Sequence, residues 1–140
     1  MPGVGIQHIE LAVADVDRSL AFYDAVLGPP GLEEYARFRS YRGTEDVVYL
    51  QFGHSWIGIR PADGGTYTHY DVGLEHIAFQ VDTREEVDAA HERCVAAGAP
   101  IQTPPEEHYG YAGEDYYSFF AFDPDGFRIE VVCDRRHPRP

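Results

Sequence analysis

The chain has 140 residues, 44% hydrophobic and 14% aromatic, with 24 acidic against 11 basic side chains and a formal net charge of −13. This is one domain's worth of globular sequence, long enough to bury a core, and its negative field repels polyanions, which excludes nucleic acid as a partner. No apolar run approaches the roughly 20 residues of a membrane span, and the opening MPGVGIQHIEL lacks a basic segment ahead of a hydrophobic one; a soluble, cytoplasmic protein without a membrane partner is expected.

Gly5 to Val13, GIQHIELAV, reads as a strand whose period-two alternation puts Ile9, Leu11 and Val13 on one face and His8 with Glu10 on the other. Asp15 to Leu27 has Val16, Leu20, Tyr23 and Leu27 at helical spacing, with Asp15 or Asp17 to cap it and Gly28-Pro29-Pro30 to end it. Three short strands follow, Tyr35 to Tyr41, Val47 to Phe52 and Trp56 to Arg60, with turns at Arg42-Gly43 and Gly53-His54. Pro61 to Tyr70, PADGGTYTHY, is turn-rich and reads as a connection.

Gly73 to Val81, GLEHIAFQV, is then a near-copy of the first strand 68 residues on, matching it at Gly5/Gly73, His8/His76, Ile9/Ile77 and Val13/Val81. The chain therefore contains one supersecondary module twice. In the second copy Thr83 and Glu86 form a capping box, Val87, Ala90, Cys94 and Ala97 make the apolar stripe, and Gly98 closes the helix. Pro100 to Asp115 has no clear periodicity and reads as a lid loop. Tyr116 to Phe122 is an aromatic strand, Asp123-Pro124-Asp125-Gly126 a tight turn, and Phe127 to Cys133 the last strand.

The expected fold is α+β: two tandem βαβββ modules forming curled mixed sheets around a central cavity, helices outside. One domain is divided into module one at about 5–61, a linker at about 62–71, module two at about 72–133 and a solvated tail at 134–140. Cys94 and Cys133 are expected as reduced, packed thiols.

Phase gathers the polar residues. In the last strand Phe127, Ile129 and Val131 take the helix side, which turns Glu130 toward the face of His8 and His76; in module one Trp56, Gly58 and Arg60 take that face. A carboxylate there needs a metal, a cation or a proton. Two imidazoles and one carboxylate are a ligand set for Fe, Mn, Ni or Zn; the bland alternative for Glu130 is an ion pair with Arg60 or Arg128. Glu10 is a general-base candidate or a solvated strand-end carboxylate. Arg60 is a clamp for a substrate anion or a surface ion pair, and Trp56, Tyr116, Ser118 and Phe120 line a substrate cavity or belong to ordinary core. His108, in the expected lid, is a further substrate-binding candidate; His54, His69, His91 and His137 read as ordinary histidines.

The paired modules, the histidine opening each, and the closing DPDGFRIEVV resemble the vicinal oxygen chelate superfamily, which includes glyoxalase I, extradiol dioxygenases, fosfomycin-modifying thiol transferases and metal-free bleomycin-resistance proteins. The resemblance covers residues 5 to 133. It implies metal ligands at His8, His76 and Glu130 holding one divalent ion. The fourth ligand position of glyoxalase I falls on Gly58, which cannot coordinate, and the tyrosine that dioxygenases place before the turn reads Phe120. It further implies a metal-dependent lyase, isomerase, thiol transferase or dioxygenase that chelates vicinal oxygens of a small apolar or aromatic substrate. The alternative is a metal-free protein that sequesters an antibiotic or natural product. A symmetric homodimer is the default assembly.

Overall fold

The structure is a computed structural model that describes residues 3–28, 33–39, 46–108 and 115–137, with side chains described outside 33–38 and 46. The expected turn at Arg42-Gly43, the helix stop at Pro29-Pro30, the Tyr109-Gly110-Tyr111 part of the lid and the end of the tail lie outside the described residues. The chain divides into two compact units, Met1–Gly65 and Thr66–Pro140.

The first unit runs β1 (His8–Val13), α1 (Val16–Leu27), β2 (Glu33–Arg39), β3 (Asp46–Phe52) and β4 (Ser55–Pro61), in sheet order β1-β4-β3-β2. β1 and β4 are parallel, with His8 opposite Trp56 and Glu10 opposite Gly58; the other pairs are antiparallel. The alternation of β1 holds: Leu11 and Val13 are buried while His8 and Glu10 are exposed. Asp15 is the N-cap, its carboxylate accepting the Arg18 N–H at 3.0 Å. The buried stripe of α1 is Ser19, Phe22, Tyr23, Val26 and Leu27, so Val16 and Leu20, expected in it, are only half-buried. Two apolar rows fit helical spacing here, and the aromatic pair Phe22–Tyr23 takes the deeper place in the core.

The second unit repeats the plan with β5 (Ile77–Gln80), α2 (Arg84–Ala96), β6 (Ile101–Glu107), β7 (Tyr116–Phe122) and β8 (Arg128–Asp134), in sheet order β5-β8-β7-β6. Both capping-box hydrogen bonds between Thr83 and Glu86 are present, and Val87, Ala90 and Cys94 are fully buried. Ala97 is the exposed C-cap rather than part of the stripe. Gly98 follows at φ 75°, the left-handed conformation that ends helices. Both cysteines are free and buried, and burial pushes the Cys94 thiol up to about 12.

The expected lid is corrected in its first half: Ile101–Glu107, IQTPPEE, is the edge strand of the sheet. An edge strand needs only one bonded side and so tolerates Pro104 and Pro105, and the register against β7 shifts between Ile101 and Thr103 and again between Thr103 and Glu106. Glu107 pairs with Arg84, whose guanidinium lies 5.1 Å over the Tyr117 ring, and the Tyr117 hydroxyl donates to Asp88 at 2.7 Å. Burial, with that bond to Asp88, pushes the Tyr117 phenol up to about 12. This network fastens α2 to β6 and β7.

The β7–β8 hairpin is set by the Asp-Pro-Asp-Gly turn. Asp123, 3% exposed, accepts the N–H groups of Asp125 at 2.9 Å and Phe127 at 2.8 Å, while Gly126 takes φ 86°. That turn fixes a register in which Phe120 stands opposite Glu130. The start of the expected solvated tail folds back: Gln80 donates to the carbonyls of Asp134 at 3.3 Å and His137 at 2.6 Å, while the side chains of Arg135, Arg136 and His137 stay exposed. Among the described residues no helix is long and apolar enough to cross a membrane.

Candidate functional site

Glu130 is 1% exposed in the middle of β8. Its carboxylate accepts the Tyr116 hydroxyl on Oε1 at 2.8 Å, and its Oε2 lies 3.2 Å from His76 Nε2. His76 sits one residue ahead of β5, and its Nδ1 is hydrogen-bonded to the carboxylate of Glu75. A carboxylate only accepts, so that contact puts a proton on Nδ1. Nε2 then either carries a second proton toward Glu130 or offers it a lone pair, which two facing acceptors tolerate with a proton on Glu130 or a cation between them. The spacing suits that cation: two ligands each about 2.1 Å from one ion stand roughly 3.0–3.4 Å apart in octahedral or tetrahedral arrangement.

Arg128, on the same face of β8, is engaged beside His76, its Nη1 3.4 Å from His76 Nδ1. It donates to Glu75 at 2.7 Å and to Gln102 at 2.6 Å, and its guanidinium lies 3.9 Å from the centre of the Phe120 ring. It is therefore not the ion-pair partner that the sequence offered to Glu130. The hydrogen bond from His76 holds the Glu75 carboxyl below its ordinary range, against burial, with the charge of Arg128 adding to the shift. Phe120 meets His76 edge-on at 5.5 Å and His108 at 5.9 Å, and His108 meets the Tyr116 ring at 6.0 Å. Ser118 is fully buried, and its hydroxyl has no hydrogen-bond partner among the described residues. The second unit thus gathers His76, Glu130, Tyr116, Phe120 and His108 into one cluster, with the Ser118 hydroxyl on the same strand.

In the first unit His8 opens β1 with its Nδ1 on the side-chain oxygen of Gln7. Glu10, two residues on, accepts the Tyr49 hydroxyl, and the Tyr49 ring stands edge-on to His8 at 5.7 Å. Glu10 is thus a bonded carboxylate, not merely a solvated one. Trp56 lies across from His8 and Arg60 across from Ala12, both half-buried. Among the described residues no group of three or more His, Cys, Asp or Glu is gathered for a metal ion; within the second unit the structure brings together the pair His76–Glu130.

Two residues that the sequence reading passed over carry part of the site. Gln7 and Glu75 hold the same place in the duplicated motif, directly before each histidine, and each puts an oxygen on that histidine's Nδ1. The signal lay in the repeat itself, GIQH against GLEH, which aligns an oxygen-bearing side chain as well as the histidine.

Comparison with known proteins agrees with this architecture. The family model described as Glyoxalase/Bleomycin resistance protein/Dioxygenase superfamily matches residues 5–131. The uncharacterized protein YqjT of Bacillus subtilis is 30% identical over 129 residues, covering 91% of this chain and 98% of that protein. A lactoylglutathione lyase of Salmonella typhimurium is 31% identical over 134 residues, covering 89% of each. Among solved structures, a glyoxylase/bleomycin resistance protein/dioxygenase domain from Frankia superposes with TM-score 0.78 at 26% identity, over 96% of this chain and 94% of that one. A mutant of the fosfomycin resistance protein FosX from Listeria monocytogenes, complexed with Mn(II) and 1S,2S-dihydroxypropylphosphonic acid, superposes with TM-score 0.67 at 27% identity, over 91% of this chain and 87% of that one. With its two βαβββ units and a family match across nearly its whole length, the chain belongs to the glyoxalase/bleomycin resistance protein/dioxygenase superfamily.

Proposed function

We propose that the protein is a divalent-metal-dependent enzyme of the glyoxalase/dioxygenase type, in which His8, His76 and Glu130 hold one Fe, Mn, Ni or Zn ion for a small oxygen-bearing substrate. The observation that carries this reading is the buried Glu130 carboxylate 3.2 Å from the Nε2 of a histidine whose Nδ1 is already bonded to Glu75. Bound there, a divalent ion supplies Lewis acidity, polarising adjacent substrate oxygens and stabilising an enolate or oxyanion.

The chain's own residues prepare the site. Tyr116 fixes the rotamer of Glu130 by donating to Oε1, which leaves Oε2 directed at His76. Glu75 fixes the tautomer of His76. Phe120, braced by Arg128, and His108, edge-on to it, give an aromatic wall for an apolar or aromatic substrate, and Ser118 offers a buried hydroxyl. In the first unit Trp56 and Arg60 extend the binding surface, Arg60 meeting a substrate anion. The protein works as a homodimer in the cytoplasm.

Metal analysis of protein purified without a tag tests this reading. About one equivalent of Mn(II), Fe(II), Ni(II) or Zn(II) per chain after loading supports it. Less than about a tenth of an equivalent, unchanged by loading, refutes it in favour of a metal-free protein that sequesters a small molecule.

A further inference from the structure

Behind the sheet of the second unit, on the side away from the His76–Glu130 pair, α2 carries a charged clamp. Arg84 and Asp88 lie one turn apart on the same side of that helix. Arg84 pairs with Glu107 of β6 and lies over the Tyr117 ring, while Asp88 accepts the Tyr117 hydroxyl. Glu107 and Tyr117 are register partners on adjacent strands. Their chain neighbours are joined as well, the His108 N–H donating to the Tyr116 carbonyl at 3.0 Å. Successive side chains of a strand point to opposite faces, so Glu107 and Tyr117 meet α2 while His108 and Tyr116 meet the site. There Tyr116 donates to Glu130, and the His108 ring stands edge-on to Phe120.

Backbone pairing alone holds this end of β6 weakly. The strand is bonded on one side only, Pro104 and Pro105 have no N–H to donate, and the register slips twice between Ile101 and Glu106. The Glu107 side chain is 14% exposed, and among the described residues Arg84 is the cation that answers its charge. Without that partner the carboxylate turns out to water, and the backbone that carries it carries His108 too.

The duplicated sequence shows that the fold does not require the clamp. The offset of 68 residues that matches His8 to His76 also matches the N-caps Asp15 and Thr83, and it sets Val16 where α2 has Arg84 and Leu20 where α2 has Asp88. The first unit thus builds the same helix with two half-buried apolar residues at these places. A partly exposed ion pair adds little to stability, so what the second unit gains from the charges is direction.

We infer that Arg84 and Asp88 are positioning residues: they hold Glu107 and Tyr117 from behind the sheet and thereby set His108 and Tyr116 on its other face. The inference rests on the reading of His108 and Tyr116 as parts of the proposed site, and it gives the outer helix a share in shaping the substrate wall.

The test is proton NMR of the protein in chelator, reading cross-relaxation between the His108 ring and the rings of Phe120 and Tyr116, with His108→Ala to assign the signals. The variants are Arg84→Lys, Arg84→Gln and Arg84→Val/Asp88→Leu, the last writing the residues of α1 into α2. Wild type and Arg84→Lys, which keeps a cation over the Tyr117 ring, are expected to show the ring contacts. The double variant is expected to lose them while its thermal midpoint moves by no more than about 4 °C. If the double variant does not fold, Arg84→Gln, which loses the charge alone, decides on the same terms. Ring contacts that are absent from wild type, kept in the variants without the charge, or lost in Arg84→Lys as fully as in those variants overturn the positioning role. No metal is present in the measurement, so loss of the contacts supports the clamp whether or not the protein takes up Mn(II).

Discussion

Glu130→Gln is expected to weaken divalent-metal binding by at least about 100-fold, more than loss of an outer-shell partner costs, while leaving the metal-free fold as stable as wild type or more so. The two halves of that result have separate causes. Glutamine keeps the volume of a side chain that is 1% exposed and keeps an oxygen for the Tyr116 hydroxyl, so neither a cavity nor an orphaned donor results. It removes a buried charge, whose desolvation a neutral replacement relieves, and it replaces an anionic metal donor with a weak one. A structural ion pair between His76 and Glu130 predicts the reverse: breaking it strands a charge and costs about 3–5 kcal/mol, with no effect on metal. Urea unfolding in chelator alongside Mn(II) calorimetry reads both quantities. Glu130→Ala is the harsher variant, because it also leaves the Tyr116 hydroxyl unpaired at about 1–3 kcal/mol.

Glu75→Leu is expected to lower metal affinity by about 10–100-fold, although Glu75 lies beside the imidazole on the side away from Glu130. Its side chain is 44% exposed, so its contact with Arg128 contributes little to stability and the variant stays folded. What it loses is the acceptor on Nδ1: His76 is then free to put its proton on Nε2, the atom that faces Glu130. Glu75→Gln is expected to keep most of the affinity, since in the first unit Gln7 does the same work for His8 with an amide oxygen. Two-bond nitrogen–proton NMR of the metal-free protein reads the tautomer directly, with Nδ1–H expected in wild type and a mixture in Glu75→Leu. A pure Nδ1–H tautomer in Glu75→Leu, or unchanged metal affinity, contradicts the positioning role.

Much of this was legible because a duplicated motif carries its own phase. Alternation in GIQHIELAV and GLEHIAFQV separated His8 and His76 from the core rows, and Phe127, Ile129 and Val131 fixed the face of Glu130 in the same way. The strand β6 was not legible, since an edge strand with two prolines and two register shifts need not alternate in hydrophobicity. Nor was Glu75: alternation sends neighbouring side chains to opposite faces, yet Glu75, two residues ahead of β5, turns its carboxylate to the Nδ1 of His76. The meeting of Glu10, Tyr49 and Gly58 depends on the register among β1, β3 and β4, which no single strand records. Gly58 read from sequence as a missing ligand, and in the structure it is the space that Glu10 and Tyr49 occupy.

Anomalous diffraction from Zn(II)-loaded crystals, measured at the zinc edge, tests the central claim most directly. One peak about 2.0–2.2 Å from both His76 Nε2 and Glu130 Oε2, with His8 completing the shell, is the predicted result. Full loading with no peak beside Glu130, and His76 still hydrogen-bonded straight to its carboxylate, would contradict it.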